Sequence, residues 1–240
     1  MIKSTQNNFI TFHYLLKTFN HLKMINFFIQ VGAHDGIMHD PLYPFLSKNE
    51  WNGILIEPQK NMLNKFQDRY KNRKNLLYYA FAVHPNYSRV KLYTIKNPLN
   101  YSQTGWATIL SDKLSNEKKK NKLETFLVRA MPLMKVVEKS KFKIIDLLQI
   151  DTEGFDYEVL KMFDFQLFKP ILVQFEYIHL SKEDYENSLR LLSKNGYITI
   201  KKKNDIIAIK KNRINIAFIF YYLLFRIKGS IKSRIRLNYN

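Results

Sequence analysis

Residues 27–36 read Phe-Phe-Ile-Gln-Val-Gly-Ala-His-Asp-Gly, a run with the aromatic and β-branched make-up of a buried strand that passes at once into a G-x-x-x-G turn. The turn from Gly32 to Gly36 lets backbone approach a ligand with no Cβ in the way, and it takes two of the chain's seven glycines. About 20 residues on, Glu57 closes a second strand, Gly53-Ile54-Leu55-Ile56, just before Pro58. An acid there accepts hydrogen bonds from both hydroxyls of a ribose. Turn and acid together describe a nucleoside cradle. His34 lies inside the turn, where contact with ligand is expected and catalysis is not. Neither a full G-x-G-x-x-G nor a G-x-x-x-x-G-K-[ST] is present. The expected ligand is therefore an adenosine without a phosphate chain, which S-adenosylmethionine fits and NAD and ATP fit poorly.

Outward from this stretch the chain alternates strand-like and helix-like segments, the pattern of an α/β sheet with mostly parallel strands. Gln59 to Tyr70 has helical periodicity in Met62, Leu63, Phe66 and Tyr70. Leu76 to Val83 reads as a third strand, and Arg89 to Ile95 and Ala107 to Leu110 as short additional ones. The Lys-rich piece from Asn116 to Lys122 reads as a solvated loop or helix face. Further strands are expected at Ile144 to Ile150 and Ile171 to Phe175, with a helix at Asp156 to Phe163. Ser181 is placed to cap a helix that Asn195-Gly196 stops. Tyr197 to Lys201 and Ile206 to Lys210 form an antiparallel hairpin at a sheet edge.

The 240 residues hold 39 Lys+Arg against 20 Asp+Glu and no cysteine. That composition belongs to a folded protein with one substantial core. The lack of cysteine rules out disulfides, a thiolate nucleophile and Cys-ligated metal sites. Residues 201–240 carry 11 Lys/Arg and one acid, a net of +10 out of +19. Such a balance attracts phosphates on nucleic acid, lipid or substrate without choosing among them. Three parts are expected: an N-terminal helical segment over 1–24, a main domain over 25–210, and a basic, apolar tail over 211–240. Phe9, Phe12, Leu15, Leu16, Phe19 and Leu22 mark the first helix, which is interrupted by His13 and Lys17 and does not read as a signal peptide. The longest apolar stretch, Ile214 to Phe225, is too short for the ~20 residues a membrane span needs. In the tail, Ile214, Ala217, Phe218, Tyr221, Tyr222, Leu224 and Phe225 lie between basic residues, as in a helix at an anionic lipid surface. A terminal helix packed on the sheet is the preferred reading. A cytoplasmic location is the expectation, with peripheral membrane contact through 211–240 as the alternative to that packed helix.

Four stretches, Phe28 to Gly36, Gly53 to Pro58, Leu148 to Leu160 (LQIDTEGFDYEVL) and Val173 to Leu180 (VQFEYIHL), resemble FkbM-type methyltransferases in order and spacing over about residues 25–210. The resemblance implies a three-layer, Rossmann-like class I methyltransferase fold whose seven-stranded sheet has one antiparallel strand. It also implies S-adenosylmethionine as cofactor and methylation of a hydroxyl, often on a sugar. Gly32, Ala33 and Gly36 would then pass under the methionine and ribose, Glu57 and its neighbour Pro58 would border the ribose, and Asp151 would lie beside the cofactor. Phe81 and Ala82 would sit near the adenine. Many relatives have an acid where this chain has Gln30, so a contact to the methionine end is altered.

Methyl transfer to an alcohol needs alignment, exclusion of water, and a base or metal for the hydroxyl proton. Asp151, Glu153, Glu176 and His179 are the candidates, since all lie at or just past expected strand ends. The duller readings are that Glu153 caps a helix and Glu176 pairs with a surface lysine. His34-Asp35 and His39-Asp40, with Asp151 or Glu153, could bind a divalent ion, but their spacing matches no compact metal motif and no metal is assigned. The acceptor is expected to be a small molecule or glycan. The open alternatives are an RNA or cap ribose methyltransferase, less favoured because no basic motif with stacking aromatics is recognised, and a non-catalytic nucleoside-binding module.

Overall fold

The computed structural model describes residues 11–48, 51–114 and 122–237, with side chains described as far as residue 227. Phe9 and nearly all of the Asn116 to Lys122 stretch lie outside the described residues. The chain opens on α1 (Phe12–His21), which Thr11 caps by accepting a hydrogen bond from the Tyr14 amide. Then follow β1 (Phe27–Val31), the single turn α2 (Tyr43–Leu46), β2 (Asn52–Ile56), α3 (Lys60–Arg69), β3 (Leu76–Tyr79), β4 (Ala82–Val83) and β5 (Arg89–Ile95). After a 3₁₀ turn at Tyr101–Gly105 come β6 (Leu123–Met131), α4 (Leu133–Ser140), β7 (Leu147–Ile150), α5 (Asp156–Met162) and β8 (Leu172–Glu176). The chain ends with α6 (Lys182–Lys194), β9 (Tyr197–Lys201), β10 (Asp205–Lys210) and the long α7 (Ile216–Leu237).

Seven strands form one sheet in the order β3-β2-β1-β7-β8-β10-β9. Neighbours are parallel except at β10, which runs antiparallel to both β8 and β9. This is the mostly parallel sheet with an edge hairpin that the sequence leads one to expect, β10 being inserted so that β9 forms the edge. Its central strands are apolar on both faces because helices cover both. On one face Ile29, Ile54, Leu148 and Val173 pack with Leu133, Val137, Val159 and Leu192 of α4, α5 and α6. On the other, Phe28, Leu55, Leu147 and Leu172 pack with Leu16 and Phe19 of α1, Phe66 of α3 and Phe218 of α7.

Three expectations about strands are corrected. Leu76 to Val83 is not one strand. It breaks at Ala80-Phe81, where Phe81 turns to the cleft described below and Ala82-Val83 leaves the main sheet to pair with Ala130 and Met131. Ala107 to Leu110 contributes only a bridge from Thr108 to Tyr93, because the flanking Ala107 and Leu110 amides are taken by the Gly105 carbonyl and the Thr108 hydroxyl. The strand expected from Ile144 begins only at Leu147. Ahead of it, Asp146 turns its carboxylate onto the Asn26 and Phe27 amides. The small second sheet, β4-β6-β5, is built on β6, a largely exposed strand with no apolar alternation.

Candidate active site

The carboxyl ends of β1, β2, β7 and β8 open into a cleft of about 520 Å³, within the roughly 300–1,000 Å³ usual for small-molecule sites. One wall is the turn after β1. Gly32 (φ +83°) and Gly36 (φ +69°) take left-handed conformations. The Gly32 and Ala33 amides both donate to the Ile56 carbonyl at 2.9 and 3.1 Å, tying the turn to the end of β2. A Cβ on Gly32 would stand 1.7 Å from the Asp151 carbonyl oxygen, so only glycine lets β1 and β7 close up here.

Glu57 is buried at the end of β2, with Oε2 accepting from the His34 amide at 2.9 Å and Oε1 from the Gln59 amide at 2.8 Å. Burial pushes its carboxyl up to about 7 although both bonds favour the ionised form. Each carboxylate oxygen has room for a second donor, which suits a diol. His34 reaches the Thr104 hydroxyl at 3.0 Å and Asp35 at 3.3 Å. Burial lowers its pKa more than Asp35 raises it. Burial alone would raise Asp35, but the Tyr101 hydroxyl, the Met38 and Ile37 amides and His34 together bring it down to about 2. Asp35 is thus a brace between the turn and the Tyr101–Gly105 segment. Gln59 adds a second tie by donating to the Thr104 carbonyl at 3.1 Å. The roof that results includes Ser102 and Trp106.

The opposite wall is acidic. Asp151 lies open to the cleft yet deep within the protein, and its carboxyl is raised well above its ordinary value, first by desolvation and then by Asp156, Glu153, Asp205 and Glu57. Asp156, fully buried at the start of α5, accepts from the Thr152 hydroxyl at 2.9 Å and from the Gly154 and Glu176 amides at 3.3 and 3.2 Å. Burial raises it to about 6. It holds the 151–156 loop in shape, and in that loop Glu153 (φ +54°) is left-handed. Glu153 does not cap the helix. Its Oε2 lies 3.1 Å from His179 Nε2, and the same nitrogen is 3.5 Å from Glu176 Oε2. Glu176 meets this histidine rather than a surface lysine. Its carboxyl is pushed up by burial and by Asp151 and Glu153, whereas His179 is raised chiefly by its bond to Glu153.

Gln30, Gly32, Ala33, His34, Glu57, Pro58, Phe81, Ala82, Asp151, Glu153 and Glu176 all line this one cleft. Two expected site residues do not. Gly36 is packed on Phe66, whose ring a Cβ would meet at 2.2 Å, and His179 stands behind Glu153 and Glu176. The His34-Asp35 and His39-Asp40 pairs, to which no metal is assigned, are engaged elsewhere: Asp35 braces the roof, while Asp40 accepts from the Gln30 side-chain amide and the Leu42 amide. Among the described residues, Glu153, Glu176 and His179 are the group whose ligand atoms all lie within 4.8 Å of one another. The sequence reading missed Gln149, Gln174 and Asp205, which also line the cleft. Glutamine inside the apolar strands Leu-Leu-Gln-Ile and Leu-Val-Gln-Phe-Glu was the available signal, since a buried amide is costly without a partner.

A family profile described as the methyltransferase FkbM domain matches residues 30–199. No curated protein matches the chain. Among solved structures, an FkbM methyltransferase from Methylobacillus flagellatus KT is similar at 13% identity and TM-score 0.49, over 78% of this chain and 44% of that one, so the chain spans under half the length of that relative. The N-terminal domain of human METTL16, solved in complex with SAH, aligns at 13% identity and TM-score 0.42, over 82% of this chain and 67% of that one. The fibrillarin pre-rRNA processing protein of Methanococcus jannaschii aligns at 11% identity and TM-score 0.37, over 78% and 67% of the two chains.

Proposed function

The chain belongs to the methyltransferase FkbM domain family, and from that footing we propose that it transfers a methyl group from S-adenosylmethionine to a hydroxyl oxygen of a sugar or glycan. The observation that carries the reading is that a single cleft holds a buried carboxylate at the end of β2, Glu57, and across from it a carboxylate bonded to a histidine, Glu153 with His179. S-adenosylmethionine supplies a methyl group on a sulfonium, and sulfur keeps the electron pair of the C–S bond when the C–O bond forms. The residues of the chain have three tasks. Glu57 accepts hydrogen bonds from the ribose hydroxyls. The Gly32-Ala33 backbone and Gln30 border the amino-acid end, while Phe81 and Ala82 offer an apolar surface to the base. Glu153 takes the proton of the acceptor hydroxyl. Asp151 and Glu176, which burial and neighbouring carboxyls push toward the protonated form, flank it on the same wall. His179 donates to Glu153 and fixes its orientation, which makes it a positioning residue. The segment Tyr101–Trp106 closes the roof and excludes water.

The test is transfer of labelled methyl from S-adenosylmethionine to a panel of neutral glycosides, with and without excess EDTA. Labelled glycoside whose yield EDTA leaves unchanged is the expected result. Complete loss with EDTA would instead give Glu153, Glu176 and His179 to a metal ion. Label on no glycoside would remove the proposed acceptor.

A further inference from the structure

Three glutamines stand in register across the centre of the sheet: Gln30 on β1 is opposite Gln149 on β7, which is opposite Gln174 on β8. They are 2%, 3% and 7% exposed, all line the cleft, and the side-chain carbonyl oxygen of each is buried with no hydrogen-bond partner. Their orientation is not arbitrary. Gln30 turns its amide nitrogen to Asp40 at 3.0 Å, and Gln174 is bonded to Asp205 through side chains. Acids at the two ends of the row thus engage Gln30 and Gln174, and the three carbonyl oxygens are left without a protein partner beneath the cleft. Strand periodicity puts Asp151 and Glu176 on the same face as Gln149 and Gln174, one pleat nearer the opening. The row is the floor beneath the proposed reacting centre.

The charge around that floor is the reverse of the charge on the molecule. The chain has 39 Lys+Arg, yet none is among the described residues lining the cleft, which instead carries the carboxyl groups of Asp40, Glu57, Asp151, Glu153, Glu176 and Asp205. A phosphate next to the reacting hydroxyl would face this carboxyl-rich lining with no Lys or Arg among the described lining residues to pair with it. A neutral, hydroxyl-rich ring would satisfy the waiting carbonyls, because each hydroxyl brings a donor. Resting on the methyl-transfer reading above, we propose that Gln149 and Gln174 form the acceptor subsite and select an uncharged sugar ring, free or within a glycan, against phosphorylated sugars and against RNA. The carbonyl row binds the non-reacting hydroxyls and so presents one hydroxyl to Glu153.

Saturation-transfer NMR and calorimetry on the full chain, saturated with S-adenosylhomocysteine, test this with methyl glycosides, neutral disaccharides, the 6-phosphates of the same glycosides and an RNA trinucleotide. The expected result is binding of neutral sugars with the phosphorylated ones at least about tenfold weaker, and a loss of about 3- to 10-fold in sugar affinity in Gln174→Leu and Gln149→Leu. Both variants should keep their S-adenosylhomocysteine affinity, which also shows that they fold. Binding led by the phosphorylated sugars or the trinucleotide, equal sugar affinity in the variants, or no sugar bound to a chain that still binds S-adenosylhomocysteine would overturn the subsite. A chain that binds no S-adenosylhomocysteine would sink the methyl-transfer reading itself.

A separate observation concerns α7. One face packs on α1, with Phe218 against Phe19 at 4.8 Å and the Tyr222 hydroxyl accepting from the Thr11 amide at 3.3 Å. The other face is a stripe of Ile216, Ile219, Phe220, Leu223 and Ile227, each 46–86% exposed and spaced as one side of a helix. Exposed Lys211 and Arg213 precede it, within a segment of net charge +10 over residues 201–240. No helix among the described residues is long and apolar enough to cross a membrane. We infer that this stripe lies on an anionic membrane surface, its apolar side chains in the acyl boundary and the flanking bases among the headgroups. Flotation of the full chain with phosphatidylcholine vesicles, with and without phosphatidylserine, should show binding only to the anionic ones, weakened by salt and reduced about tenfold or more in Phe220→Ser/Leu223→Ser. No flotation, flotation that the double variant retains, or a dimer in sedimentation that it abolishes would overturn the membrane assignment, the last giving the stripe to a second copy.

Discussion

Glu153 combines a left-handed backbone, a place in the lining of the cleft and a histidine at 3.1 Å. Glu153→Gln should lower kcat by about 10²–10⁴-fold while calorimetry finds the affinity for S-adenosylmethionine unchanged. His179→Gln should cost less, about tenfold, and should move the acidic limb of the pH–rate profile to higher pH, because removing a cation makes a carboxyl harder to ionise. A pH profile that stays in place in the variant would leave His179 a structural role only. Gly32→Ala should destabilise by about 3 kcal/mol or more, since the added carbon would stand 1.7 Å from backbone at φ +83°. A melting temperature lower by about 6–12 °C checks it. Glycine scarcity made Gly32 and Gly36 visible in the sequence alike. Nothing in the spacing said that Gly36 serves packing on Phe66 while Gly32 serves the cleft, because that depends on where α3 lands.

At the level of elements, the central strands of the main sheet were readable because helices cover both faces, which makes them short, mostly apolar runs. The caps were readable as well: Ser181 does accept from the Asp184 amide at 3.0 Å. Ser181→Ala should therefore lower stability by about 1 kcal/mol, a shift of about 2–4 °C with methyl transfer unaffected. What escaped was β6 with its partner arrangement. Its exposed residues, such as Phe126 and Leu127, give no inside–outside alternation, so its pairing with β5 is a tertiary fact without a local signal. The same limit hid the acceptor row. A glutamine in an apolar strand is visible in sequence, but the alignment of three across β1, β7 and β8 depends on register.

For the whole molecule, the buried acids and His179 make stability depend on pH in a definite direction. Glu57 is raised from 4.5 to about 7 in the folded chain, so the fold holds a proton the unfolded chain has lost, and this contribution disappears as pH rises through about 7. His179, raised from 6.5, contributes in full below that value and loses its contribution as pH climbs through its folded pKa. His13, His34 and His84 are lowered and act in the opposite sense, but only below 6.5. The melting temperature of the ligand-free protein should therefore fall from about pH 6.5 to about pH 7, where Glu57 and His179 both lose their contribution, and a rise over that range would contradict these assignments. The central claim is that the cleft between the Gly32 turn, Glu57 and Asp151 holds an adenosyl methyl donor. Calorimetric titration of S-adenosylmethionine into the native chain and into Glu57→Ala tests it most directly. One site in the native protein, weakened at least about tenfold in the variant by loss of the buried hydrogen-bond acceptor, is the predicted result. Absence of heat in the native protein, or equal affinity in the two, would contradict it.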